Sequence, residues 1–240
     1  MQTAAKTRSL LIAQSGILPY TPGMKLVALS TLFSTLALSL ASCEPDRAQV
    51  RPEDTKMKEE ATDAKEIPEG AELITLGGGC FWCVEAVYQH LDGVYSATSG
   101  YMGGHVPNPT YDAVCTKTTG HVEVVQLAFD PKKIKLDDIL AWFWDLHDPT
   151  TKNRQGADEG PQYASVIFYH TPEQKAVAEK SMKDAQALFE NPIVTLIKKA
   201  PEFYQAEDYH QNFYFQNRMK NGYCRVVIEP KLKKLKLKSE

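Results

Sequence analysis

The spacing of apolar and polar residues predicts an ordered region that starts near residue 71. Alternation with a period of two predicts strands, at residues 72–76, 121–129, 163–169, 193–197 and 223–228, with a glycine-broken strand at 93–104. Apolar residues three or four apart predict helices, which follow Cys80 and cover residues 136–147, 171–189 and 206–217. Because some strands follow one another directly, this order favours an α+β domain over a doubly wound sheet.

Two stretches, residues 105–121 and 148–161, show neither period and are predicted to be loops. The start of the helix at residues 171–189 is marked by its own side chains. Thr171 suits the N-cap and Pro172 suits the first helical position. A glutamine follows at residue 174, and it is predicted to complete a capping box with Thr171.

The stretch GGGCFWCVE, residues 77–85, joins the first predicted strand to the first predicted helix. Three glycines suit a tight turn, because glycine tolerates positive φ and close approach by other groups. Cys80 then lies at the helix N-terminus, where unpaired N–H groups and a partial positive charge stabilise an anion. This position predicts a lowered pKa for the Cys80 thiol and a reactive thiolate. The alternative is a small buried residue in a tight turn.

The first 43 residues are predicted to be a targeting segment that is not part of the fold. Met24 and Lys25 precede an apolar run at residues 26–40, a pattern typical of a secretory signal. The run is too short and too rich in Ser and Thr for a membrane-spanning helix. It ends in LASC, which resembles the lipobox of bacterial lipoproteins, and an ordinary cleaved signal is the alternative. Because residues 1–23 are an unusual preamble, translation is expected to start at Met24.

The lipobox resemblance implies that Cys43 is acylated and anchors the chain to a membrane of the bacterial cell envelope, with the domain outside the cytoplasm. Residues 44–70 are rich in charge and hold almost no large apolar side chains. Such a segment cannot bury enough surface to order itself, so we predict a disordered acidic tether. The folded domain is expected at residues 71–233, before a basic tail at 234–240 that is either solvated or in contact with anionic lipid.

The composition narrows the possible functions. The chain has 27 Lys and Arg against 30 Asp and Glu, a net charge of -3, which argues against a nucleic-acid partner. Five cysteines in 240 residues are too few and too scattered for a disulfide scaffold.

Six separate motifs occur in one order, GCFW at 79–82, SGYMGG at 99–104, NPTYDAVC at 108–115, TGHVEV at 119–124, NRQGADEGPQY at 153–163 and AEDYHQ at 206–211. Together they resemble the peptide methionine sulfoxide reductases of the A type, over residues 73–233. This resemblance implies a two-layer α/β plait, with a ferredoxin-like core and long wrapping loops. It also implies reduction of the S epimer of methionine sulfoxide, free or in oxidised proteins, for protein repair.

The resemblance assigns roles to seven residues. They are Cys80 as the nucleophile that becomes a sulfenic acid, Glu123 as the catalytic acid, Tyr111 and Tyr163 as hydrogen-bond donors to the sulfoxide oxygen, Phe81 and Trp82 as an apolar cup for the S-methyl group, and Asp158 as an acid that helps to hold the site. The apolar neighbours of Glu123 predict a raised pKa for its carboxyl group. No cofactor or metal is implied, the reductant is a thioredoxin-like protein or a small dithiol, and the chain is expected to be a monomer.

Two cysteines compete to resolve the sulfenic acid on Cys80. Cys83 is one helical turn away, at a position where many members of the family have glycine. Cys224, in the motif NGYC, resembles the recycling cysteine of other members. The predicted strand at 223–228 holds Cys224 in place, so we expect Cys83 to act first and Cys224 to act as a second relay.

Two rival functions remain from the residues alone. The spacing Cys80-x-x-Cys83 is also typical of a thiol–disulfide oxidoreductase, which has no need of Glu123 or an aromatic cup. The same two cysteines with a histidine are compatible with a non-enzymatic metal-binding lipoprotein. A structural zinc site normally has a second closely spaced ligand pair, and the sequence offers none.

Overall fold

The computed structural model describes residues 67–237, so the signal segment, Cys43 and nearly all of the predicted tether lie outside the described residues. The strands of the described part are β1 Glu72–Gly78, β2 Val94–Met102, β3 Val122–Phe129, β4 Arg154–Gln155, β5 Asp158–Glu159, β6 Ser165–Tyr169, β7 Leu196–Lys199 and β8 Phe203–Gln205. Its α-helices are α1 Phe81–Tyr88, α2 Tyr111–Cys115, α3 Leu136–Leu146, α4 Pro172–Ala185, α5 Phe213–Asn217 and α6 Glu229–Lys234. Between residues 67 and 237 no helix is long and apolar enough to cross a membrane.

Six of the strands form one sheet in the order β7-β6-β1-β3-β2-β8, and β4 and β5 form a separate two-stranded hairpin. The neighbouring strands of the sheet run antiparallel, except that β6 and β7 are parallel. Helix α1 connects β1 to β2, and β3 lies between these two strands in the sheet. The mixture of helices with a mainly antiparallel sheet confirms the predicted α+β class.

The alternation along β3 divides its side chains between two apolar clusters. Val125 and Leu127 point into the main core, which also contains the buried residues of α1 and α3, and Val124 belongs to a smaller cluster on the other face. Complete burial of one such side chain contributes about 1.5–3 kcal/mol. Glu123 shares the face of Val125 because side chains alternate along a strand, and it therefore points toward α1.

The prediction of a strand at 223–228 is wrong. After Tyr223 the chain forms a turn of π-helix, Cys224–Ile228, which runs into α6. Cys224 and Ile228 are fully buried, whereas Val226 is 75% exposed. Buried residues four positions apart are typical of a helix, and the short run of β-branched residues obscured that spacing.

Three other boundaries differ from the prediction. The predicted loops contain α2, whose Thr110 hydroxyl accepts a hydrogen bond from the Ala113 N–H, and the β4–β5 hairpin. The strand predicted from residue 193 begins only at Leu196. The helix predicted at 206–217 is two pieces, a 3-10 turn at Asp208–His210 and α5. Such short elements carry too few residues to show a period.

The start of α4 is partly as predicted. The Thr171 hydroxyl accepts a hydrogen bond from the Gln174 N–H at 3.3 Å, and Pro172 is the first helical residue. The capping box is wrong, because the side-chain oxygen of Gln174 accepts a hydrogen bond from the His170 N–H and not from the Thr171 N–H. The Gln174 amide also donates to the Leu73 carbonyl at 2.9 Å, so this side chain ties α4 to β1.

Candidate active site

The turn between β1 and α1 has the form that the glycines predict. Gly79 has φ of +90°, and a Cβ atom there would lie 2.6 Å from the Cβ of Gln155. Both observations require glycine. Cys80 follows as the N-cap residue of α1 and is 7% exposed. The thiol is therefore at the helix mouth but almost out of contact with solvent.

Glu123 accepts a hydrogen bond from the first N–H of this helix. One of its carboxyl oxygens accepts a hydrogen bond from the Phe81 N–H at 3.1 Å, and the side chain is 1% exposed. The pKa of Glu123 is raised to about 8, chiefly by burial, with smaller contributions from the nearby Asp158 and Cys83, while the Phe81 N–H opposes the shift. Near neutral pH the carboxyl group is therefore mostly protonated and able to donate.

Cys80 and Cys83 are reduced, buried and hydrogen-bonded to each other. Burial raises the pKa of the Cys80 thiol well above its ordinary value, and the neighbouring Cys83 and Glu123 add to the rise. The lowered pKa predicted for Cys80 is therefore wrong for the resting site, because loss of solvent outweighs the helix N-terminus. The hydrogen bond with Cys80 instead lowers the pKa of Cys83 to about 6. The first thiolate of the pair is thus on Cys83.

Tyr223 is a site residue that the sequence analysis missed. Its hydroxyl donates to the Asp158 carboxylate at 2.8 Å and lies 3.8 Å from the sulfur of Cys83. Tyr223 also forms a hydrogen bond with the Cys80 thiol, and this bond lowers the pKa of Cys80. The Tyr223 hydroxyl therefore connects the Asp158 carboxylate to the thiols of Cys80 and Cys83. The position of Tyr223 beside Cys224 in NGYC was the available clue.

Tyr111 and Tyr163 belong to the same buried cluster as Cys80. Tyr111 begins α2, and its N–H donates to one oxygen of Glu207 at 2.8 Å. The second oxygen of Glu207 accepts from the Tyr101 hydroxyl at 2.9 Å. Tyr163 lies in a 3-10 turn that packs against β3, the strand of Glu123. The structure therefore brings both predicted tyrosines to the region of Cys80 and Glu123.

Aromatic rings surround the first turn of α1. The ring of Trp82 stacks on Phe213 with centroids 3.7 Å apart and planes at 7°, and its N–H donates to Nδ1 of His210 at 3.1 Å. His210 also packs on Phe81 and Tyr111, with centroids 5.0 and 4.5 Å apart. Burial lowers the pKa of His210 to about 4, which keeps the ring neutral. We call Phe81, Trp82, His210 and Phe213 the aromatic cup.

The family resemblance predicts Phe81 and Trp82 as members of the cup, but not His210 or Phe213. His210 is in the quoted motif AEDYHQ, so its presence in a separate matching motif was the available clue. Phe213 lies beyond that motif, in a stretch dense in aromatic residues that is equally typical of a core helix.

Cys224 is fully buried in the π-helical turn. Burial raises its pKa to about 11, and the nearby Cys83 adds to the rise. A thiol with this pKa is a poor source of thiolate at neutral pH. Within residues 67–237 no group of three or more histidine, cysteine or acidic side chains is placed to hold a metal ion.

Comparison with known proteins gives one consistent family. The profile described as Peptide methionine sulfoxide reductase matches residues 72–240. A Peptide methionine sulfoxide reductase MsrA of Saccharolobus solfataricus is 54% identical over 163 residues, which cover 68% of this chain and 92% of the relative. One of Leptospira borgpetersenii is 56% identical over 163 residues, with the same coverage.

Two solved structures are also similar. Mxr1 from Saccharomyces cerevisiae in reduced form has a TM-score of 0.62 at 36% identity, covering 65% of this chain and 90% of that one. Methionine sulfoxide reductase A of Corynebacterium diphtheriae has a TM-score of 0.58 at 34% identity, covering 64% of this chain and 78% of that one.

The raised pKa of Glu123 predicts how stability depends on pH. The folded chain holds this proton up to about pH 8, whereas an ordinary glutamate releases it near pH 4.5, so the stability that Glu123 contributes is lost as pH rises through this interval. Glu123→Gln stays neutral and keeps an acceptor for Phe81. The difference between its free energy of unfolding and that of the parent should therefore shift in favour of the variant as pH rises. The shift should be on the order of a few kcal/mol between pH 5 and pH 9.

Urea unfolding of both proteins at pH 5, 7 and 9 measures this difference. Glu190 is exposed, so Glu190→Gln is the matched control. Its free energy of unfolding should differ from that of the parent by the same amount at all three pH values. A gap between Glu123→Gln and the parent that stays constant across the pH range contradicts the assignment.

Proposed function

The chain belongs to the peptide methionine sulfoxide reductase family and reduces methionine sulfoxide by a thiol-dependent reaction, and we propose that Cys80 attacks the sulfoxide sulfur with Glu123 as the acid. The observation that carries this proposal is a buried cysteine at a helix mouth, beside a carboxyl group whose pKa is about 8. The substrate is the S epimer of methionine sulfoxide, free or in oxidised proteins, and the enzyme repairs oxidative damage.

The first step transfers oxygen from the substrate to Cys80. As the sulfoxide enters, the Cys83 thiolate takes the Cys80 proton through the hydrogen bond that joins the two sulfurs. The Cys80 thiolate attacks the sulfoxide sulfur, and Glu123 delivers its proton to the oxygen. The attack forms a bond between the Cys80 sulfur and the substrate sulfur. The protonated oxygen then moves to the Cys80 sulfur, as the S–O bond of the substrate and the new S–S bond both break. The products are methionine, Cys80 sulfenic acid, the Cys83 thiol and the Glu123 carboxylate. Atoms and charge balance, and Cys80 supplies the two electrons.

The tyrosines and the cup orient the substrate. The hydroxyl groups of Tyr111 and Tyr163 donate hydrogen bonds to the sulfoxide oxygen, where negative charge develops. The S-methyl group sits against Phe81 and Trp82, since sulfur and methyl groups pack well on aromatic rings. Asp158 holds Tyr223 in place through the 2.8 Å hydrogen bond. Exclusion of water by these rings strengthens each polar contact.

The second step restores the cysteines. The Cys83 thiol condenses with the Cys80 sulfenic acid to form a disulfide and water. A thioredoxin-like dithiol, or a small dithiol, then reduces this disulfide and is itself oxidised. Cys224 lies in a helical turn and not in the predicted strand, so a strand does not favour Cys83 over Cys224. Contact between Cys80 and Cys83 and the pKa of Cys83 support the same order, with Cys224 as a second relay.

We assign the domain to the two-layer α/β plait architecture. The elements β1, α1, β2, β3, α3 and β6 follow the order strand-helix-strand-strand-helix-strand, and the strands lie in the order β6-β1-β3-β2. This is the connectivity of a ferredoxin-like core. The α2 stretch, the β4–β5 hairpin and the C-terminal segments wrap around it. The domain acts as a monomer.

The activity is tested by reduction of a peptide methyl sulfoxide with dithiothreitol. Cys80→Ser should abolish turnover, and Glu123→Gln should slow it about a hundredfold or more, because an amide does not deliver a proton. Substantial turnover by Cys80→Ser contradicts the assignment. Reduction of insulin at a rate above that of the sulfoxide favours the rival thiol–disulfide oxidoreductase.

The order of the two resolving cysteines is tested with two reductants. With dithiothreitol, Cys83→Ser should still turn over, because a small thiol reaches the sulfenic acid directly, but more slowly than the parent, because Cys83 no longer takes the Cys80 proton. Cys224→Ser should remain near the parent. With a thioredoxin as reductant, Cys83→Ser should lose turnover strongly and Cys224→Ser much less. The reverse ranking shows that the relay runs through Cys224.

We also propose that the protein is lipid-anchored at Cys43 in the bacterial cell envelope, with the domain on the outer side of the membrane or in the periplasm. The support is the apolar run that ends in LASC. Cys43→Ala should move the protein from the membrane fraction to the soluble fraction while its specific activity stays unchanged. Recovery of the parent protein from the cytosol contradicts this location.

A further inference from the structure

Glu85 is a buried acid in α1 that the proposed reaction does not use. It lies one turn after Trp82 on the same helix and is 1% exposed. Burial raises its pKa to about 7, and the hydrogen bonds from Asn212 and Phe213 oppose the shift. A buried carboxyl group is costly unless its oxygens are hydrogen-bonded, so its partners indicate what it does.

Both oxygens of Glu85 bind the start of α5. One accepts from the Asn212 N–H at 2.9 Å and the other from the Phe213 N–H at 3.3 Å. Asn212 has φ of +52°, in the left-handed region, and its own side chain makes no capping hydrogen bond. A helix leaves its first N–H groups without partners, and here a carboxyl group on another helix takes them. Glu85 therefore fixes the position at which α5 starts.

The residue fixed in this way is one wall of the aromatic cup. Phe213 stacks on Trp82 at 3.7 Å, and Trp82 lies on the same helix as Glu85. Helix α1 thus carries both one ring of the pair and the carboxyl group that holds the other ring against it. His210, three residues before Phe213, receives the Trp82 N–H. A shift of Phe213 therefore widens the space beside Trp82.

We propose that Glu85 is a positioning residue that holds Phe213 against Trp82 and so limits the cup to an S-methyl group. This inference rests on the proposed role of the cup in binding that group. Without Glu85, the N–H groups of Asn212 and Phe213 lose these two hydrogen bonds, so the stack loosens. The cup then accepts a larger S-alkyl group, and the ratio of kcat/KM for methyl over larger S-alkyl sulfoxides falls.

The test compares kcat/KM for methionine sulfoxide and ethionine sulfoxide, which differ by one methylene at the sulfur. A tight apolar site discriminates one methylene by about 10-fold or more. Glu85→Ala should reduce the methyl-to-ethyl ratio to about one, mainly through a higher KM for the methyl substrate. Glu85→Gln keeps one acceptor oxygen and should give an intermediate ratio.

Gln174→Ala is the matched control, because Gln174 is also buried and joins two elements, but at β1 and α4. It should lower thermal stability and leave the ratio unchanged. If Glu85→Ala and Glu85→Gln keep the parent's ratio, Glu85 is only structural and the proposal is overturned. If Glu85→Ala does not fold, Glu85→Gln alone decides in the same way. A parent enzyme that reduces both sulfoxides equally well overturns the role of the cup itself.

Discussion

The hydrogen bond from the Phe81 N–H to Glu123 is the contact on which the site depends. It joins the first turn of α1 to the central strand β3, and it is made inside the main core. The carboxyl group takes the N–H that a helix start leaves open, so the helix N-terminus serves the acid rather than the thiolate. When Glu123 gives up its proton, this N–H and the helix dipole stabilise the carboxylate that remains. One contact therefore both places the acid and eases its ionisation.

The remainder of the site comes from segments far away in sequence, and buried or half-buried polar side chains hold them. Glu207 binds the Tyr111 N–H, and Glu85 binds the start of α5. The side chain of Gln211 pairs with both backbone groups of Ser99. Each of these contacts is partly shielded from water, which strengthens its hydrogen bonds. The aromatic cup is thus positioned by hydrogen bonds to the backbone as well as by ring packing.

The sequence predicted the parts of the site that follow local rules. The glycine turn predicts Cys80 at the helix N-terminus, and the family resemblance identifies Glu123 as the acid. Burial of the thiol was not visible, because it depends on segments that arrive from residues 206 to 228. It reversed the predicted pKa shift of Cys80. The helical turn around Cys224 was missed because valine and isoleucine also suit a strand, and only burial separates the two readings.

In the proposed reaction Cys80 takes the oxygen of the sulfoxide. This step is tested most directly with the double variant Cys83→Ser, Cys224→Ser, given one equivalent of a methyl sulfoxide peptide and no reductant. The account predicts one methionine per enzyme molecule and a sulfenic acid that a dimedone probe labels at Cys80, as mapped by mass spectrometry. Formation of methionine with no label at Cys80, or no methionine at all from a folded variant, contradicts it.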